Sequence, residues 1–366
     1  MTDRKLAILA MIAVVMAGWA ILQSRLAKQT GARGLFENAP LIQGLNVDAI
    51  AEITVLSNKG ANTLTLKKQD GRFRLLEKDG YPANISPINS LLNNCLDIRV
   101  ARPITSNPAN HPDLGVTDET AQYAVRFLNA DGNVITGVLV SERKSDPDGA
   151  YVRLDGADDA YFVEYAPWIS TTPISYLNTA LVEVNRDKIR LVTVRGPEGD
   201  YVLTSPDGET IAMEAMPDGK QFAGTAHQSV FRALTSVQFE DVMAADSTPT
   251  GLLFDRSFVC ELDDTTVYTL LLGELDGKHY ATITADFLDT TPVQVGRTEA
   301  EEELRKKEAK LLAMDAAQAF AQRHKDWVYV ISSFKAEDLT QSLDNLLEEV
   351  TEADNSPEDT LEPDDI

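Results

Sequence analysis

Four histidines, two cysteines and a dense group of aspartates are the side chains of this 366-residue chain with the most capacity for chemistry. His111, His227, His279 and His324 show no paired spacing of the kind that grips a metal ion, and they read as isolated turn or surface residues. Cys95 falls on the apolar face of a predicted helix, and Cys260 alternates inward with Phe258 and Leu262 in a predicted strand. Placed in separate cores, they read as two buried thiols, with a disulfide as the alternative in an oxidising compartment. Asp146, Asp148, Asp155, Asp158 and Asp159 could suggest calcium, but they lack the ordered D-x-D-x-D-G loop, and turn-forming aspartates explain them better. GELDGKH, Gly273 to His279, has a Gly-Lys pair without the spacing or the following Ser/Thr of a phosphate loop, so it reads as a hairpin turn. No G-x-S-x-G elbow occurs. The expectation is no catalytic, cofactor-binding or metal-binding residue, no cofactor, and a protein that is not an enzyme.

Charge narrows the partners. Lys+Arg 33 against Asp+Glu 57 gives a formal net charge of −24, which repels any ligand bound mainly through phosphate, so nucleic acid is an unsuitable partner. After Lys335 there is no basic residue, and Glu337 to Asp365 carries twelve acidic ones, half of the net charge. Residues 336–366 therefore read as an acidic C-terminal tail, with a last helix over Ala336 to Val350 through Leu339, Leu343, Leu346 and Leu347, and disorder expected beyond Thr351.

The opposite end points to a membrane. Behind Arg4 and Lys5 runs an uncharged stretch from Leu6 to Leu22, seventeen residues or roughly 25 Å of helix, with Trp19 suited to an interface. A cleaved signal peptide with small residues around Val15-Met16-Ala17 is the rival reading, but the apolar run continues through Ile21 and Leu22, which favours a retained anchor over residues 1–28 that contacts inner-membrane lipid through 6–22. The flanking basic residues do not decide orientation; the five-residue leading tail stays inside by default, which sends the body to the periplasm.

Past a linker over residues 29–46, hydrophobic alternation at period two with turn dipeptides predicts antiparallel strands. Ile50 to Leu56, Leu64 to Lys68 and, after Asp70-Gly71, Arg72 to Glu77 read as strands. Ser86-Pro87 then opens a helix, Ser as N-cap, with Ile88, Leu91, Leu92 and Cys95 on one face. Strands follow at Tyr123 to Asn129, Val134 to Val140, Tyr151 to Leu154 and Ala160 to Val163, with Asp131-Gly132 and Asp148-Gly149 at turns. From Asn185 the same order restarts: Asp207-Gly208 lies 137 residues after Asp70-Gly71, a second helix is predicted around His227 to Thr235, and strands at Ser257 to Leu262, Val267 to Gly273 and Tyr280 to Ala285, the last after a Gly277-Lys278 turn. The expected class is α+β: two tandem antiparallel-sheet units, 47–182 and 183–335, each with a helix on one face, after an N-terminal transmembrane helix. The second unit carries an inserted helix at about 298–323, marked by a Thr298/Glu301 capping box, Glu–Arg and Glu–Lys pairs four apart, and a stripe of Leu304, Leu311, Leu312, Ala319 and Phe320. Its basic cluster, Arg305, Lys306, Lys307 and Lys310, reads as a solvated face.

Several of these segments together carry a resemblance: ITVLSNKGANTLTLKKQDGRFRLL, PINSLLNN, HPDLGV, AVRFLNADGNVITGVLVSE, GAYVRLDG, DAYFVEY and APWI, strongest from Asp113-Leu114-Gly115 to Trp168. They resemble the bacterial family catalogued as domain of unknown function 4340. Ser141-Glu142 departs from the Leu-Gly that the family often has, and Leu272-Gly273 fits it better. The resemblance implies a single-anchor envelope protein associated with ABC transporters of the gliding-motility type, hence a permease or auxiliary subunit as partner; it implies no catalytic residue. Two functions are therefore expected: a membrane-anchored extracytoplasmic accessory protein of an ABC-type assembly acting through protein contacts, or an envelope ligand-binding protein or enzyme with a site between the units.

Overall fold

A computed structural model describes residues 38–145, 147–293 and 300–350. The apolar run Leu6–Leu22, Asp146, Thr298 and the tail beyond Val350 lie outside the described residues. Among the described residues no helix is long and apolar enough to cross a membrane. The fold is α+β, built on two large antiparallel sheets, and the chain divides after Asn178 into two units.

In the first unit the elements run β1 (Ala39–Pro40), β2 (Glu52–Ser57), β3 (Asn62–Gln69), β4 (Arg72–Leu75), β5 (Tyr81–Pro82), α1 (Ile85–Leu96), β6 (Arg99–Val100), β7 (Arg102–Thr105), α2 (His111–Leu114), β8 (Tyr123–Leu128), β9 (Val134–Val140), β10 (Lys144–Ser145), β11 (Asp148–Leu154) and β12 (Ala160–Val163). The main sheet is ordered β5-β4-β3-β2-β8-β9-β11-β12-β7, with β10 on β11. Alternation puts Ile53, Val55, Leu64, Leu66, Val125, Phe127 and Val138, all nearly inaccessible, on one face. The other face is covered in part by Val116 and Ala121, which pack with Ala124, Leu139 and Ala160. Beyond that cover the face turns polar: Arg126 Nε donates to Asp155 at 2.7 Å and its Nη2 to Asp118 at 2.5 Å. Arg126 is mostly shielded, so Arg126→Ala is expected to cost about 1–2 kcal/mol by leaving Asp155 half-buried and unpaired, read by urea denaturation. An unchanged midpoint would reduce the pair to a solvated contact.

The second unit runs β13 (Ala180–Val182), β14 (Ile189–Arg195), β15 (Tyr201–Thr204), β16 (Ala212–Met213), β17 (Lys220–Phe222), α3 (Ala226–Phe231), β18 (Val237–Ala244), β19 (Arg256–Leu262), β20 (Thr266–Leu275), β21 (Lys278–Phe287), α4 (Glu301–His324), β22 (Trp327–Ile331), α5 (Ser333–Thr340), α6 (Leu343–Leu346) and β23 (Leu347–Glu349). Its main sheet is β13-β18-β22-β21-β20-β19-β14-β15-β16. Read from β16, the order β16-β15-β14-β19-β20-β21-β22-β18 reproduces β4-β3-β2-β8-β9-β11-β12-β7 element for element. The next place is taken by β13 on β18 and by β1 on β6, the short strand just before β7. One topology is thus written twice, and α4 is inserted where the first unit has only the turn between β11 and β12.

Tyr268, Leu272 and Glu274 share one face of the second sheet by alternation. Phe320 of α4 meets Tyr268 edge-on at 5.1 Å, while α5 borders a cleft with Leu272 and Glu274, so both helices cover that same face. On the opposite face Tyr280, Val328 and Val330 pack with Met243, Leu252 and Phe254. Gly273 lies there because a Cβ would overlap the carbonyl oxygen of Leu253.

Several local expectations are corrected. Helix α1 starts one residue before Ser86, and its N-cap is Asn84, whose side chain accepts from Ser86 N at 3.0 Å, leaving Pro87 inside the first turn. Asp148-Gly149 is not a turn but the start of β11, paired with Lys144-Ser145. The second helix is shorter than expected and tightens into a 3-10 turn at Ala233–Thr235. The β20–β21 turn is centred on Asp276-Gly277, both at positive φ, one residue before the expected pair.

The inserted helix begins at Glu301 with Ala300 as N-cap and no side-chain cap bond. Its covered face is Ala313, Ala317, Phe320, Ala321 and His324, whereas Leu304, Leu311 and Leu312 are exposed at 41%, 41% and 62%. At 100° per residue Leu304 and Leu311 point roughly opposite to Ala313, so the leucine stripe and the packing stripe are different faces. The single last helix is instead three elements. Ser332 and Ser342 each accept a backbone N–H to start α5 and α6, and Gln341 between them is non-helical. Leu347 then turns into β23, which pairs with β17.

Candidate functional site

The side chains singled out for chemistry are held apart, each in a local role. His111 is buried, its Nε2 2.9 Å from the carbonyl oxygen of Asp158 across the β12 approach. His227 stacks on Phe222 at 4.0 Å and 16°, and burial pushes its pKa down. His324 closes α4 with Nδ1 2.6 Å from Tyr329 Oη; burial, with Arg323 beside it, pushes the imidazole down to about 4, so it is neutral near pH 7. Cys95 and Cys260 are free, buried and in different units, and burial pushes both thiols up to about 12, far from the thiolate that a nucleophile needs.

The aspartates are likewise dispersed. Asp148 takes a two-pronged bond from Arg143 at 2.8 Å, Asp155 holds Arg126, and Asp159 accepts from Ser106 Oγ. Among the described residues no group of three His, Cys, Asp or Glu is arranged to hold a metal ion. The basic cluster of α4 is paired: Arg305 with Glu301 at 2.6 Å, Lys306 with Glu302 at 3.2 Å, and Lys310 with Asp289 at 2.7 Å. That last contact, a hydrogen bond from the ammonium, holds the Asp289 carboxyl below its usual range. The hollow of about 890 Å³ beneath these lysines is rimmed in part by these paired charges and, across it, by Lys188, Asp263 and Asp264.

His279 faces a cleft together with other polar groups. It sits opposite Glu274 across the β20–β21 hairpin, in a cleft of about 260 Å³ bordered by Arg256, Glu198 and, from α5, Glu337 and Thr340. Arg256 lies 3.6 Å from Glu198 and 3.3 Å from Asp255, so its guanidinium is engaged at the wall. Such a cleft offers hydrogen bonding to a small polar group. Its one lining hydroxyl, Thr340, donates to the Ala336 carbonyl within α5 at 2.8 Å.

The first unit presents a different feature, which sequence reasoning missed. After β12 the chain exposes Tyr165 at 85% and Trp168 at 79%. The flanking side chains of Val163 and Ile169 are buried on either side. Asn94 of α1 donates to the Trp168 carbonyl at 2.7 Å, and Tyr176 Oη donates to the Ser170 carbonyl at 2.8 Å. The available signal was the pattern itself: two aromatics three apart around a proline, with no alternation to bury them.

No curated protein and no solved structure matches the chain. Residues 74–253, from β4 of the first unit to the loop after β18 of the second, match the family model described as Domain of unknown function (DUF4340).

Proposed function

We propose that this is a membrane-anchored extracytoplasmic accessory protein of an ABC-type transport assembly, tethered to the bacterial inner membrane by Leu6–Leu22, with its body in the periplasm, acting through protein–protein contacts with a permease or auxiliary subunit. The observation that carries the reading is the engagement of its reactive side chains in packing and local bonds, set against a solvent-facing aromatic pair on a loop tied down at the Trp168 and Ser170 carbonyls. The seventeen-residue apolar run, the resemblance of the first unit and the DUF4340 match support it. Purification of the full chain in mild detergent, with identification of what co-purifies, should recover subunits of one transporter in near-stoichiometric amounts. Recovery of the chain alone at native expression would sink this reading. A second reading, an envelope ligand-binding protein, draws on the cleft lined by Arg256, His279 and Glu337, and it would gain from a small polar molecule that shifts the melting of the second unit.

A further inference from the structure

Trp and Tyr rings are usually at least partly covered, and an aromatic pair this open on an otherwise folded surface marks a contact site. Together the two side chains present on the order of 300 Å² to solvent. The loop that carries them has lost most of its freedom already, because Val163 and Ile169 are buried on either side and two side-chain bonds hold its carbonyls. Docking would therefore order little chain, and more of the contact energy would appear as affinity.

The rim selects the partner. Glu164, next to Tyr165, is exposed and forms no salt bridge among the described residues. Asp97 lies one helical turn beyond Asn94, which holds Trp168, and it is 77% exposed with only a 3.7 Å contact to Arg99. Arg99 and the exposed Arg102, which lies over Phe162, offset part of this charge, so the selection rests on Glu164: it offers an Arg or Lys side chain of a protein partner a pairing carboxylate near the Trp face, which an anionic lipid surface lacks.

We propose that Tyr165 and Trp168 form a docking knob for a protein partner that offers an apolar socket with a basic rim. This deepens the accessory reading, on which it rests, by naming the surface used. The test places the photo-crosslinker p-benzoyl-phenylalanine at Tyr165 in the full chain within native membranes, with Val134, exposed at 46%, as the control position. The expected result is one protein adduct at position 165, at least about 5-fold above the control. Trp168→Ala should reduce it by about 10-fold or more, as for an interface hot spot, and 0.5 M salt should weaken it. An adduct with lipid, equal yields at both positions, or a yield indifferent to Trp168→Ala overturns the knob. If the adduct is with a protein that is no transporter subunit, the knob stands and the accessory function falls. If a transporter subunit co-purifies equally with a Tyr165→Ala/Trp168→Ala chain, the knob falls and the accessory function stands. Both side chains are exposed, so these variants should melt with the parent chain.

Discussion

Replacing Gly149 by alanine is expected to destabilise the first unit by about 3–5 kcal/mol, lowering its melting temperature by about 10 °C. Two effects add. Gly149 has φ of 150°, a backbone region that essentially only glycine occupies. A Cβ there would also overlap the Val163 carbonyl oxygen and the Phe162 ring, and Val163 is paired with Ala150 in the sheet, so neither can yield without opening the β11–β12 ladder. Gly132→Ala is the control: φ is 82° but nothing lies within 4 Å, so only the strain of about 1 kcal/mol remains. Thermal and urea denaturation of both variants measure the contrast. Equal losses would show that the sheet relaxes around the added methyl.

The second unit should lose stability in acid through one buried imidazole. His324 titrates near 4 in the folded chain against 6.5 unexposed to the fold, so between these values the unfolded chain binds the proton and the folded chain does not. Its contribution is therefore intact above about pH 6.5 and is lost as pH falls towards 4, by up to about 3 kcal/mol. Carboxylates titrate in part of this window, so the informative quantity is the difference from His324→Phe, which keeps a ring beside Phe320 and Tyr329 but cannot be protonated. That variant should start lower at pH 7, from the lost bond to Tyr329, and show a flatter slope from pH 6.5 to 4. Parallel slopes would remove His324 from the acid response.

How much of this was legible depended on whether the signal was local. Period-two alternation placed the strands, and Asp70-Gly71 and Asp276-Gly277 turn the chain because both residues of each pair adopt positive φ. The 137-residue recurrence pointed to a repeated order of elements, and the strand orders of the two sheets match. Asp148-Gly149 misled because the same dipeptide serves a close approach between strands, a requirement that exists only once Val163 is alongside. The α4 leucines misled because apolar residues mark a packing face only if the sheet lies on that side, and it lies under Ala317 and His324 instead. For the candidate site, sequence separated the histidines and cysteines by the absence of motif spacing, but Tyr165 and Trp168 needed the structure. Whether a ring in a loop is covered depends on non-local neighbours such as Asn94 and Tyr176.

The repeated strand order also sets a timetable. In each unit an early strand waits for the last one: β7 closes on β12, and β18 on β22. In the second unit α4 lies between β21 and β22, so the wait runs from Ala244 to Trp327 instead of from Thr105 to Ala160. The longer loop adds only about 0.4 kcal/mol of closure entropy. The delay is larger in effect, because a chain emerging at ~5–20 residues per second leaves the β22 side of β18 unpaired for several seconds longer than synthesis of a hairpin would require. During that interval a bare hydrogen-bonding edge flanked by Phe239 and Val242 is open to the wrong strand for longer than the corresponding edge of β7.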